Sequence, residues 1–293
     1  MLWIILALII TNILTFVLMR SDEEVVDRTT PVEEIDVEAP IATIENVEIY
    51  YDDWISYLET NYGQEGLAEM IDQYVIDELA SQHNLTVDPK LIDLEVSFLA
   101  TLFGQLPEGK IERTEAEWRD TIERRLLTDM FFAKDVSIPE EELKAYYDMY
   151  QSQYQFSHRI ELSHIVVDDQ ATADRVYQEL EEGADFKALA YEYTKDEDSR
   201  ETGGYLGFFT VESNFLPINY FEQSRNVGEH SYSEPFRGNQ GYVILYLHRE
   251  LPAIELDFDE LKDYIRIKIA NEQLGVTPSI KDFWAEFNVD WIY

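Results

Sequence analysis

The sequence predicts an α+β fold: a small antiparallel sheet with its own helices, set between two helical segments. Three observations predict it. Apolar residues recur at helical spacing from Gln64 to Asp135, the pattern becomes strand-like at Phe156, and the helical period returns after Pro252. The 293 residues are enough for two folded units and an N-terminal extension. The divisions this gives are 1–20, 21–40, 41–155, 156–250 and 251–293.

The extension comes first. Leu2 to Met19 carries no charge and only Thr11, Asn12 and Thr15 as polar residues. As a helix it would be ~27 Å long, close to the hydrocarbon thickness of a bilayer. A cleaved signal peptide is the alternative, but there is no basic n-region, and Arg20-Ser21-Asp22-Glu23 lacks a small-x-small cleavage pattern. A membrane anchor is therefore expected over 1–20. Residues 21–40 are acidic, contain two prolines and show no period, the composition of a solvated linker. Arg20 and Arg28, the basic residues near the span, both fall on the linker side, so the positive-inside rule does not supply an orientation.

Ile41 to Ile49 reads as two short strands around Glu45-Asn46, followed by a helix from Tyr51 to about Asn61. From Gln64 onward, Leu67, Met70, Ile71, Tyr74, Val75 and Leu79 form one helical face, and Leu91, Leu94, Phe98 and Leu102 another. Thr114-Glu115-Ala116-Glu117 has the form of a capping box opening a helix to about Ala133. Ser137-Ile138-Pro139-Glu140 is a second, with proline in the first turn of a helix to about Tyr154. Together these make an all-α module.

His158 to Val167 then reads as a strand, and Thr172–Glu182 and Asp185–Tyr193 as helices separated by Gly183. Tyr205–Phe209, Ser233–Phe236 and Gly241–Arg249 are the remaining strands. Asp257-Phe258-Asp259-Glu260 starts a helix to Leu274, and a last helix is expected from about Pro278 to Phe287.

Charge and composition exclude several functions. A net charge of −38 repels phosphates, so no nucleic-acid partner is expected. Such acidity fits either a plain solvated surface or a salty or alkaline exterior. Without cysteine there is no disulfide, no thiolate metal site and no lipid-modified cysteine. The five histidines lack the close pairing of a zinc helix, so no metal or other cofactor is expected.

Five blocks carry a resemblance. Leu162-Ser163-His164-Ile165-Val166-Val167, Gly183-Ala184-Asp185-Phe186-Lys187-Ala188-Leu189-Ala190 and Gly203-Gly204-Tyr205-Leu206-Gly207-Phe208-Phe209 follow one another at the family's separation. Val227-Gly228-Glu229-His230-Ser231 and Gly241-Tyr242-Val243-Ile244-Leu245 complete the set. Across 156–250 the chain resembles the parvulin family of peptidyl-prolyl isomerases. The flanking helices extend the likeness to extracytoplasmic parvulins of the PrsA and SurA type, in which a SurA-N-like chaperone module surrounds an inserted parvulin domain. That resemblance implies C-terminal helices (251–293) packed on the module at 41–155. It also implies a foldase or holdase at the cell membrane, its soluble part outside the cytoplasm. Its partners would be unfolded secreted polypeptides and their X-Pro segments.

Rotating an X-Pro bond needs neither nucleophile nor cofactor, only tighter binding of the twisted amide than of the planar one. The resemblance implies an apolar cup containing Leu206, with Phe215, Leu216 and Phe221 as candidate walls. It implies a polar pair in His164 and Asp196, the latter seven residues before Gly203, where the family places Asp or Cys. The alternative for this pair is a satisfied core histidine and a loop acid. The family's second histidine falls on Val243, which can neither donate nor accept, and Gln240 is the nearby side chain able to hydrogen-bond in its stead. Activity toward short peptides is expected to be weak or absent, and Val243→His is expected to raise it if the remaining site is intact.

Overall fold

The computed structural model describes residues 36–104, 111–210, 213, 215–275 and 279–293. The segment Leu2–Met19 and the linker up to residue 35 lie outside the described residues. Among those described, no helix is long and apolar enough to cross a membrane. The chain divides into two units, Met1–Gln64 and Glu65–Tyr293.

In the first unit, β1 (Ala42–Ile44) and β2 (Val47–Ile49) pair antiparallel with Ile44 opposite Val47. Glu45 takes a left-handed φ of 54° in the turn between them. Helix α1 (Tyr51–His83) follows without a break. The sequence reading stops it near Asn61 and restarts it at Gln64. Gly63 and Gly66 are both helical, because a glycine costs a helix only ~1 kcal/mol and 33 residues of cooperative backbone absorb that.

In the second unit, the C-terminal half of α1 buries Val75, Ile76, Leu79 and Ala80 against Leu127, Phe131 and Ile280. Met70 and Tyr74, expected on the buried face, are 66% and 69% exposed; the packed stripe is turned away from them. Helix α2 (Pro89–Phe103) is capped by Asp88, whose carboxylate accepts from the Lys90 N–H. Helix α3 (Ile111–Ala133) starts ahead of the Thr114 box, which therefore lies inside its first turns. Glu115 turns instead toward Arg249. Helix α4 (Glu140–Tyr150) has Pro139 as its N-cap with no side-chain bond, so the Ser137 box does not form either. A 3-10 turn at Gln151–Tyr154 finishes that stretch.

Strand β3 (Gln155–Phe156) leads into β4 (Arg159–Val167), α5 (Gln170–Glu181), α6 (Phe186–Tyr193), the single turn α7 (Glu197–Arg200) and β5 (Tyr205–Thr210). Then come α8 (Tyr220–Ser224), β6 (Ser231–Tyr232), β7 (Phe236–Arg237) and β8 (Tyr242–Leu251). The strand expected at Ser233–Phe236 is split: the Ser233 N–H still donates to the Leu245 carbonyl, but the Leu245 N–H is taken by the Ser233 hydroxyl in place of a backbone carbonyl. The sheet order is β5-β4-β8-β6, with β7 also on β8, and β4 and β8 are antiparallel with Val166 opposite Val243 and His164 opposite Leu245.

Period two gives the sheet two apolar faces. Ile165, Val167 and Ile244 pack under Ala173, Val176, Leu180 and Leu189 of α5 and α6. On the other face Leu162, Val166, Val243, Leu245 and Leu247 meet Tyr220, with Leu206, Leu216 and Phe221 at the margin.

Strand β9 (Ile254–Glu255) pairs with β3, and α9 (Phe258–Leu274) begins at Asp257 with both halves of the expected capping box formed. Leu261, Ile265 and Ile269 of α9 share one core with Leu94, Ile122, Leu126 and Leu143. Arg266 donates to the Ala133 carbonyl at 2.9 Å, and ion pairs link Lys262 to Glu140 and Lys90 to Glu260. Each fully buried Leu or Ile contributes ~1.5–3 kcal/mol, so this shared core far outweighs the exposed ion pairs. The last helix, expected from Pro278, is only a 3-10 turn at Ile280–Phe283 followed by turns; Pro278 itself lies outside the described residues.

Candidate active site

Strand β4 puts alternate side chains on opposite faces, and His164 falls on the face of Leu162 and Val166. The strand's edge is occupied in two stages. Up to Ser163 it pairs with β5, and the His164 N–H donates to the Gly204 carbonyl at 2.8 Å. Gly204 must be glycine, since at its φ of +80° a Cβ would come within 2.1 Å of the His164 carbonyl oxygen. Beyond that point the loop after α6 takes over. The Val166 N–H donates to Thr194 Oγ1, the Lys195 N–H donates to the Val166 carbonyl, and Arg200 donates twice to the Thr194 carbonyl. This loop delivers Asp196 to the imidazole.

His164 Nε2 lies 2.7 Å from Asp196 Oδ2 and 3.1 Å from Ser199 Oγ, and the Ser199 hydroxyl donates to the same carboxylate oxygen at 2.5 Å. On the other side of the ring, Nδ1 is 2.8 Å from the Tyr220 hydroxyl. Burial pushes the His164 imidazole below its ordinary pKa, and Asp196 only partly offsets that. Burial alone would raise Asp196, but bonds from Ser199 and His164 hold it below the usual carboxylate range. Burial raises Tyr220, with the Asp196 charge adding to it, so the phenol keeps its proton. Protonation follows: the neutral ring donates from Nε2 to a charged Asp196 and accepts from Tyr220 at Nδ1.

The sequence-derived candidates divide into three groups. His164 and Asp196 are brought into direct contact. Leu206, Leu216 and Phe221 pack at the margin of the apolar face that also carries His164. Phe215 is 90% exposed and Gln240 is exposed in the turn before β8, so neither joins the cluster. Val243 is buried on the His164 face, next along β8 on that face from Leu245, where it packs as core. Sequence reasoning missed Ser199 and Tyr220. Ser199 had a signal, since Asp-x-x-Ser places a hydroxyl back over the carboxylate in one turn. Tyr220 had none, being 56 residues from His164 in sequence.

An open groove of about 670 Å³, lined by Lys187, Tyr191 and Gly203 among others, includes none of these residues. The hydrogen-bonded cluster is the better guide to chemistry, because it pairs an ionised group with a neutral ring in a largely dry setting. It offers fixed dipoles beside apolar walls and no activated nucleophile. Such a site can favour a rotated amide but is not built to attack one.

A sequence profile described as the PPIC-type PPIase domain matches residues 138–263. A Bacillus subtilis protein carrying the provisional name peptidyl-prolyl cis-trans isomerase YacD is 34% identical over 254 residues, which are 86% of this chain and 85% of that protein. Foldase protein PrsA of Geobacillus kaustophilus is 28% identical over 80% of this chain and 78% of its own length. The crystal structure of PrsA from Bacillus cereus is 21% identical, covering 88% of this chain and 94% of that one, with a TM-score of 0.32 that adds nothing to the sequence relationship. The extent of the match to YacD, with the profile spanning every strand of the five-stranded sheet, makes this chain a member of the PPIC-type, parvulin family of peptidyl-prolyl isomerases.

Proposed function

We propose that this chain is a peptidyl-prolyl cis-trans isomerase acting as a foldase on secreted polypeptides. Residues 156–250 are its isomerase unit, and 41–155 with 251–293 are the module that holds clients. The barrier to X-Pro rotation, ~18–20 kcal/mol, is lost amide resonance, so a catalyst acts by binding the twisted bond more tightly. One observation carries the reading: a neutral His164 fixed between Asp196 and Tyr220 on the same sheet face as Leu206, Leu216 and Phe221. The proline ring rests on the apolar margin while the rotating carbonyl meets dipoles that need no reorganisation. Phe215 and Gln240, both exposed, are further points of contact for a bound chain.

The uncharged run Leu2–Met19 supports single-pass attachment to the cell membrane, with the acidic stretch 21–40 as a spacer and the folded part outside the cytoplasm. Relatives named foldase protein PrsA support the foldase part of the reading. Retention in membranes through carbonate washing, with Met1 still the first residue, is the expected result; a soluble form starting near Ser21 contradicts it.

A second reading is a holdase of low activity. Val243, buried as core where the resemblance places a second histidine, favours it. Refolding of a client limited by proline isomerisation separates the two. A foldase shortens the slow phase in proportion to its concentration. A holdase suppresses aggregation and leaves that phase unchanged.

A further inference from the structure

The first unit has an unusual surface. None of its described residues, 36–64, is buried. The opening turns of α1 nevertheless carry an apolar stripe at helical spacing, Tyr51, Trp54, Ile55, Leu58 and Tyr62. Trp54 is 39% exposed, Tyr62 56%, and Ile44 and Val47 of the preceding hairpin are 61% and 62% exposed. A two-stranded hairpin and a few helical turns bury too little to hold such side chains in water by themselves. Tyr51, Ile55 and Leu58 are half-buried beside these exposed side chains, and apolar groups gathered on one small unit in this way mark a docking site.

Charge identifies the occupant. Between Asp36 and Gln64 there are seven carboxylates and no lysine, arginine or histidine. A second copy of this chain brings the same sign, within a total of −38, and an anionic lipid surface is repelled as well. A flexible polypeptide that alternates basic and large apolar residues satisfies both features at once, apolar groups on the stripe and cations against the flanking acids.

We propose that the hairpin and the first turns of α1 form a docking surface for cationic, apolar-rich stretches of unfolded polypeptide. This rests on the foldase reading and narrows its clients to a charge class.

The test uses the full-length chain in a neutral detergent and three labelled peptides of equal length, followed by fluorescence anisotropy. One peptide combines Lys with Leu and Phe, one replaces Lys by Glu, and one keeps Lys but replaces the apolar residues by Ser. The cationic apolar peptide is expected to bind most tightly and to weaken as salt rises. Trp54→Ala with Tyr62→Ala should weaken it at least about tenfold. These positions are not buried, so the thermal transition should be retained. Glu48→Lys with Glu59→Lys should shift the preference toward the Glu peptide. Equal binding of all three peptides, or unchanged affinity in the aromatic variant, overturns the proposal. So does a wild-type dimer in sedimentation that the aromatic variant abolishes, which makes a second copy the occupant. Wild-type turnover of a short X-Pro peptide is measured separately. Charge-selective docking without turnover supports the docking surface while removing the isomerase reading, and turnover without docking does the reverse.

Discussion

Strand β4 carries two buried polar clusters three residues apart, and they are built differently. Around Glu161 a guanidinium meets carboxylates, and both Arg249 and Glu161 are almost entirely out of solvent. Arg249 Nε donates to Glu161 at 2.7 Å, Arg249 Nη1 to Glu115 at 2.9 Å, and the Tyr205 hydroxyl to Glu161 at 2.8 Å. The guanidinium also reaches the Gly104 carbonyl at the end of α2 and lies 5.2 Å from the centre of the Phe208 ring. Around His164 the ring is neutral, its charged partner Asp196 keeps 20% of its side chain exposed, and the remaining contacts are hydroxyls. The first arrangement ties sheet strands to helices α2 and α3; the second leaves a fixed dipole beside an apolar wall. Burial is common to both clusters; what differs is the partner, a guanidinium that spans several elements in one and hydroxyls around an imidazole in the other.

The comparison breaks most visibly at Arg249. Arg249→Met leaves the Glu161 carboxylate buried without its cation, and the expected loss is ~3–5 kcal/mol in urea unfolding. Adding Glu161→Leu should recover most of it. A single-variant loss below ~1 kcal/mol would mean the cluster is not the clamp described here.

Tyr220→Phe removes one neutral hydrogen bond and strands Nδ1 in a buried position. The expected destabilisation is ~1–2 kcal/mol, with kcat/KM falling by about fivefold as the ring loses its fixed orientation. If the imidazole signals in NMR do not move in this variant, the assigned tautomer is wrong.

The same cluster sets a pH dependence. His164 has a folded pKa below its ordinary value of about 6.5, so the unfolded chain takes up the proton first as pH falls. The stability from keeping this ring neutral is complete above about pH 6.5 and is lost as pH drops toward the folded value. His164→Gln should flatten that slope. A wild-type imidazole titrating above 6.5 would mean that Asp196 outweighs burial.

How much of this could be read from the chain depends on range. The box at Asp257–Glu260, the hairpin at 42–49 and strand β4 follow local rules and were legible. The boxes at Thr114 and Ser137 obey the same local rule and fail, because a fitting tetrapeptide does not prevent the backbone from starting a helix at Ile111 or setting Pro139 at the cap. The resemblance pointed to the His164–Asp196 pair, through the end of the first strand and the position seven residues before Gly203, whereas Ser199 was within reach of the local Asp-x-x-Ser pattern. Tyr220 and the Arg249–Glu161–Glu115 cluster join residues 56 to 134 positions apart, which no sequence period records.

Val243 shows how the structure changes an expectation. The sequence alone suggests that Val243→His restores a missing partner and raises activity. With Tyr220 already on Nδ1 and Asp196 on Nε2, the new ring finds no open position on His164, and enlarging a 1%-exposed valine costs ~1–3 kcal/mol in strain. The expected change in kcat/KM is therefore small, less than about threefold, rising only when Tyr220→Phe is present as well. A large gain from the single substitution would show that Tyr220 does not occupy the site in solution.

The role proposed for His164 is tested most directly by protease-free NMR exchange on an Xaa-Pro tetrapeptide, with wild type and His164→Ala side by side. Detectable exchange by the wild type is expected, with a loss of ~10²-fold in the variant while its urea transition stays cooperative. Equal exchange by the two proteins would remove His164 from the site.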